Sequence, residues 1–169
     1  MSNIESFIPQ WEFEFQITLN VLRAIPEDKI EFKPHEKFFS ARRLAWHLVR
    51  IEDIFGRGVL KDKIVIGEST LPSEPPATIA EMITIAQKQH SEIVNAWHAL
   101  DDAALQQKIP FLTPDGVVRR ELSRKAYLRV TLMHHVIHHR GQLSLMLRLM
   151  GARVPSIYGP SGDEGWPAK

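Results

Sequence analysis

Three histidines in two distant segments are the residues of this chain best suited to chemistry: His47, and the pair His135 and His139 in MHHVIHHRGQLSLMLRLMG (133–151). That segment reads as one helix, and residues four apart on a helix stand one above the other on the same face. Two imidazoles so placed can converge on a single divalent ion. A third from another helix gives three nitrogen ligands with a position left open for water or a small molecule, as in catalytic rather than closed structural sites. Neutral imidazole suits zinc, nickel, iron and copper. The chain has no cysteine, which excludes thiolate metal sites, Fe–S clusters, disulfides and a thiol nucleophile of its own.

Two i,i+4 pairs compete in that helix, His134/His138 and His135/His139. His135 and His139 share a seam with Leu128, Leu132, Gln142, Met146 and Leu149, which predicts that they face the interior. His134 and His138 align with Tyr127, Thr131, Gly141 and Arg148, a mixed face nearer the rim. His47 interrupts a second apolar seam, between Leu44 and Ile51. Polar groups on such seams need partners, and joint ligation of one ion supplies them. A lone histidine on an apolar seam, such as His90, is more simply a hydrogen-bonded core residue. His35 and His98 read as surface residues. Spacing by itself leaves both the metal site and a set of hydrogen-bonded core histidines open.

Neighbouring residues have two readings each. Arg140 lies about 100° round the helix from His139, where it either rims the cavity and holds an anionic group or forms a surface or interface salt bridge. Gly141 weakens a helix, which points to a close helix contact or room for something bulky. Gln142 is placed to hydrogen-bond a ligating imidazole or to bridge two helices. Glu52 and Asp53 are turned off the face of His47 and are not expected to ligate with it.

These residues need helices to hold them. The chain has 169 residues, 44% hydrophobic and 24% charged, enough for one domain (1–169) with a real core. Its formal net charge of +1 gives no case for nucleic acid or an anionic membrane. No apolar run approaches the roughly 20 residues of a membrane helix. The opening MSNIESFIPQWEFEFQ resembles neither a signal nor a transit peptide, so a cytoplasmic protein is expected.

Punctuation by Pro and Gly divides the chain into four amphipathic helices: about Ile4 to Ile25, stopped by Pro26; from an N-cap at Ser40 to Gly56 and Gly58; from a capping box at Thr78-x-x-Glu81 to Leu100; and about Arg120 to Met150, with Gly151 as the residue past the end. A hairpin over Lys108 to Val118 around Pro114-Asp115-Gly116 and a short strand at Ile64–Ile66 are minor additions. The predicted fold is an all-α four-helix bundle, up-down with longer loops. No His-Glu-x-x-His, Glu-x-x-His, phosphate-binding glycine loop or Gly-x-Ser-x-Gly elbow is present, which argues against a zincin protease, a di-iron bundle, a P-loop enzyme and a serine hydrolase.

KPHEKFFSARRLAWHLVRIED around His47, HHVIHHRGQL with His135 and His139, and the closing GARVPSIYGPSGDE together resemble the DinB family (DinB/YfiT-like metal-dependent four-helix bundles), over nearly the whole chain. The resemblance implies one divalent metal, zinc or nickel, held by one histidine of the second helix and two of the last: here His47, His135 and His139. It also implies a homodimer, which the remaining apolar face of the last helix (Met133, Val136, Leu143, Leu147, Met150) would accommodate. Characterised relatives include transferases and isomerases that use low-molecular-weight thiols, and metal-dependent hydrolases.

The expected function is therefore a metal-dependent enzyme acting on a small-molecule substrate, of thiol S-transferase or hydrolase type, with a low-molecular-weight thiol as a candidate cosubstrate. The alternatives are a non-catalytic metal- or ligand-binding, stress-associated dimer and a bundle whose histidines only hydrogen-bond. Tyr158, in the tail, is a candidate proton donor or substrate contact beside Arg140 and Gln142; equally, Ser156–Tyr158 would simply pack the tail on the bundle.

Overall fold

Four long helical segments enclose the core, and the last three begin where a local side chain caps the first turn. The structure, a computed structural model, describes residues 3–166. Helix α1 (Asn3–Arg23) buries Ile4, Phe7, Ile8, Trp11, Phe15, Leu19 and Leu22 on one side, and ends just short of Ile25 and Pro26. Helix α2 (Ala41–Ile51) starts at Ser40, whose hydroxyl accepts the Arg43 amide at 3.3 Å. Helix α3 (Ile79–Trp97) starts at the predicted capping box: Thr78 Oγ1 accepts from the Glu81 amide and Glu81 Oε2 from the Thr78 amide. A short helix, α4 (Asp102–Gln106), was not foreseen; the Asp101 carboxylate caps it. It is followed by α5 (Arg124–Ala126) and α6 (His134–Leu149), the two halves of the last long segment.

A small sheet departs from the all-α expectation. Strand β1 (Ile64–Val65) pairs in parallel with β2 (Lys108–Leu112), which pairs antiparallel with β3 (Val118–Ser123). The hairpin turns at Gly116, with φ +86°, a conformation glycine adopts without penalty. Arg120, expected to open the last helix, lies instead in β3 opposite Phe111. The charged run Arg119–Glu121 suits an exposed edge strand as well as a helix start, and the ladder with β2 decides between them. The helix begins only after Ser123, whose hydroxyl caps it at the Ala126 amide.

Helix α1 packs against α3 and α6, and α2 against α3 and α6. Successive helices α1 and α2 therefore sit across from each other, so the simple sequential order of an up-down bundle is not followed. The fold is mostly helical with a small sheet. Among the described residues, no helix is long and apolar enough to cross a membrane.

Both segments that carry the histidines contain a π-helical stretch: Glu52–Arg57 directly after α2, and Tyr127–Met133 directly before α6. Each wider turn rotates later positions relative to earlier ones. Tyr127 and Thr131, assigned with His134 and His138 to the rim, are therefore buried with Leu128 and Leu132. In α6 the buried positions are Val136, Arg140, Leu143, Met146 and Leu147, a face centred roughly 60° from His139 at 100° per residue. Leu149, placed on the inner seam, is 56% exposed. The face offered for dimerisation is in fact core: Val136, Leu143, Leu147 and Met150 are all buried.

Gly141 is exposed, and a Cβ there meets nothing within 4 Å, so it serves neither a close helix contact nor a bulky neighbour. Replacing it with alanine should stabilise the protein by up to about 1 kcal/mol through helix propensity alone, seen as a higher melting temperature. A lower one would show that the glycine is needed for a motion or a contact outside this fold.

Candidate metal centre

The three predicted histidines meet. His47 projects from the middle of α2, and His135 and His139 from the first turns of α6, at the edge of its buried face. Their rings are 5.4 Å (His47–His135), 4.7 Å (His47–His139) and 4.7 Å (His135–His139) apart between centroids. One nitrogen from each falls within 4.8 Å of the others, and all three side chains are half-buried. The Nε2 atoms of His135 and His139 are 3.0 Å apart. Tetrahedral nitrogens at 2.0–2.1 Å from zinc stand about 3.3 Å apart, close to the His135–His139 spacing, while the His47 nitrogen lies within 4.8 Å of both.

The protonation states of the three rings favour ligation. Burial first, and then the charges of His139, His135 and Arg50, push His47 down to about 4. Burial, His139, His138 and Arg120 push His135 down to about 4 as well. His139 is lowered by burial despite the opposing bond from Gln142. All three imidazoles are therefore neutral at pH 7, with lone pairs available. Gln142 Oε1 accepts from His139 Nδ1 at 2.7 Å. That bond puts the proton on Nδ1 and leaves Nε2 free to face the centre. A Gln142→Ala variant should keep its fold and lose about 10–100-fold in metal affinity, measured by competition with a chelator; unchanged affinity would remove Gln142 from the site.

The surroundings are aromatic and cationic. Phe39 lies edge-on to His47, and Phe55 lies 6.1 Å from His135. Arg120 hydrogen-bonds Thr131 and lies over the rings of Phe111 and Tyr127. Arg120 went unrecognised because it was read as a helix start. Arg43 and Arg50 were detectable: they stand four residues before His47 and three after it, on its face.

The other candidates fall outside the centre. His134, His138, His35 and His98 are exposed. His90 is a core residue stacked 3.6 Å from Phe15. Its Nδ1 donates to Glu52 Oε1 at 2.7 Å, and Trp11 Nε1 donates to the same oxygen. Glu52 and Asp53 are engaged elsewhere, as expected: Asp53 accepts from Ser69, Thr70 and Arg57 and so pins the 60–78 connection.

Arg140 neither rims the cavity nor reaches the surface. It is 1% exposed and ion-paired to Glu14 at 2.6 Å, with further bonds to the Glu14 carbonyl and Thr18 Oγ1. Tyr158 joins this cluster rather than the histidines: its hydroxyl donates to Glu14 and accepts from Arg140. Burial, followed by Glu14, pushes that hydroxyl up to about 12. The tail packs on the bundle.

In this mostly helical protein three imidazoles converge between two helices closely enough that they could hold one metal ion. This chain is a member of the DinB family, whose family model matches residues 1–166. It is 26% identical to the uncharacterised protein YrdA of Bacillus subtilis, over 95% of this chain and 91% of that one. Its fold is similar to that of a DinB-like protein from Bacillus cereus (TM-score 0.74, 24% identity, covering 91% of this chain and 97% of the other). It is also similar to Bacillus subtilis YfiT, described as a probable metal-dependent hydrolase with an unusual four-helix bundle topology (TM-score 0.67, 15% identity, 89% and 90% covered).

Proposed function

We propose that this protein is a metal-dependent enzyme in which His47, His135 and His139 hold one zinc or nickel ion, and that it transfers a small thiol onto an electrophilic small molecule. The observation that carries this reading is the charge of the site. Three neutral imidazoles and the nearby Arg50 and Arg120 are the groups around it, and no carboxylate of the described residues joins the cluster. A divalent ion bound there supplies uncompensated positive charge, which favours the deprotonated form of a thiol or of water.

The choice between the two rests on how far each nucleophile's pKa must fall. A free thiol has a pKa of about 8.5, so a modest shift gives thiolate at pH 7 without a protein base. Water starts near 15.7 and ordinarily needs stronger activation. Phe39, Phe55 and Gln142, which pack against the imidazoles, accept no proton at neutral pH, and His138, 4.9 Å from the His139 ring, is turned to the exposed face of α6. In the transfer the thiolate sulfur bonds to the electrophilic carbon, the leaving group departs with its electron pair, and the thiol proton passes to solvent.

Zinc-loaded protein incubated with a panel of thiols and alkylating or acyl electrophiles should consume thiol, and His135→Ala should not. Ester or amide cleavage without thiol loss would favour the second reading, a hydrolase of the kind YfiT is described as. Stoichiometric metal with no turnover of either kind would leave a non-catalytic binding protein. A homodimer is part of the same proposal; light scattering at micromolar concentration that returned a monomer would remove it.

A further inference from the structure

The His47 face of α2 carries a second set of polar groups that the metal centre leaves unused. Arg43, Arg50 and His47, with Phe39, Trp46 and Ser73, line a recess of about 100 Å³ beside the His47 ring. Its opposite wall is rigid: Asp53 fixes Ser69 and Thr70, Trp46 Nε1 donates to the Pro72 carbonyl at 3.0 Å, and Arg42 donates to the carbonyls of Pro75 and Pro76. The recess is therefore preformed.

Its two arginines are unlike most of the others. Arg42, Arg57, Arg124, Arg140, Arg148 and Arg153 each sit against a carboxylate. Among the described residues, no carboxylate pairs with Arg43 or Arg50. The Arg43 guanidinium lies 5.6 Å over the Phe39 ring. Arg50 makes a long 3.4 Å bond to the Gly67 carbonyl, and its Nε is buried with no partner. A buried N–H is rarely left unpaired, and a guanidinium fork beside an open recess matches the geometry of a carboxylate.

The geometry points to this recess as a carboxylate subsite of the metal centre, in which Arg43 and Arg50 hold the carboxylate end of a small reactant whose other end lies at the three imidazoles. This rests on the metal-centre reading and narrows it to an anionic small molecule. The carboxylate belongs either to the thiol or to the electrophile.

Calorimetric titration of zinc-loaded and zinc-free protein with 3-mercaptopropionate, 3-mercaptopropionamide, propionate and inorganic phosphate tests the assignment. The zinc-loaded protein should bind 3-mercaptopropionate about tenfold more tightly than the amide. R43Q and R50Q should each erase that preference while zinc content stays at the wild-type level. Arg43 is exposed, so R43Q reports on binding even where R50Q lowers stability. A carboxylate preference in the thiol pair assigns the subsite to the thiol; one seen for propionate alone, lost in R43Q, assigns it to the electrophile. Equal binding of acid and amide with no propionate binding, a preference that survives both substitutions, or tighter binding of phosphate than of any carboxylate overturns the proposal. Failure to take up zinc would defeat the metal-centre reading separately, since propionate binding by zinc-free protein, and its loss in R43Q, still reads the recess.

Discussion

His135→Ala protein should fold normally and lose its metal, its affinity falling on the order of 100-fold or more. Losing a hydrogen-bond partner of a ligand already costs about 10–100-fold, and losing a ligand itself exceeds that. His135 is half-buried at the edge of the α6 core face and packs beside Phe55, so alanine there removes few core contacts. Its Nε2 is 3.0 Å from that of His139; without it, two imidazoles on separate helices remain. His138→Ala is the matched control. That ring is exposed, three positions from His135 and one from His139, so its removal should leave metal content at one ion per chain. Elemental analysis of the two purified variants separates ligation from nonspecific histidine binding, which would respond equally to both.

The second large effect concerns stability. Glu14→Ala should destabilise the protein by about 3–5 kcal/mol, because it strands the Arg140 guanidinium in the core. Arg140 is 1% exposed, and its remaining contacts, Thr18 Oγ1, the Glu14 carbonyl and the Tyr158 hydroxyl, carry no negative charge. The double variant Glu14→Leu/Arg140→Met removes both charges together and should recover most of that loss, since apolar replacement of a whole buried pair is often neutral. Chemical denaturation of the single and double variants gives the coupling between them. Additive effects would mean that the pair is screened by water and contributes little. Metal content should be unaffected in the double variant, because neither residue touches the three histidines.

How much of this could be read from the residues depended on whether the deciding interaction was local. Caps at Ser40 and Thr78, and the turn past α6 at Gly151, follow from a few adjacent side chains and were found as predicted. The convergence of His47 with His135 and His139 followed from i,i+4 spacing together with the family's motifs. The errors arose where a distant partner decides. Arg140 looked like a surface residue because its carboxylate lies 126 positions away in α1. A local hint existed, since Glu14 shares the apolar face of Trp11 and Thr18, three and four residues to either side. Arg120 was claimed by a ladder with β2 that helix propensity cannot anticipate. The π stretch at Tyr127–Met133 breaks the uniform helical period that tied Leu128 and Leu132 to His135 and His139, so these two histidines lie at the edge of the α6 core face rather than at its middle. That edge position is what leaves them half-buried and reachable by a small molecule.

Zinc-edge X-ray absorption on the zinc-loaded protein tests the central claim most directly, paired with the same spectrum of His47→Ala. The account predicts one zinc per chain with three imidazole nitrogens at about 2.0–2.1 Å and an exchangeable oxygen as the fourth neighbour; the variant should retain no zinc or, with zinc in excess, show one imidazole fewer. Identical imidazole counts in the two spectra would contradict it, because they would place His47 outside the centre.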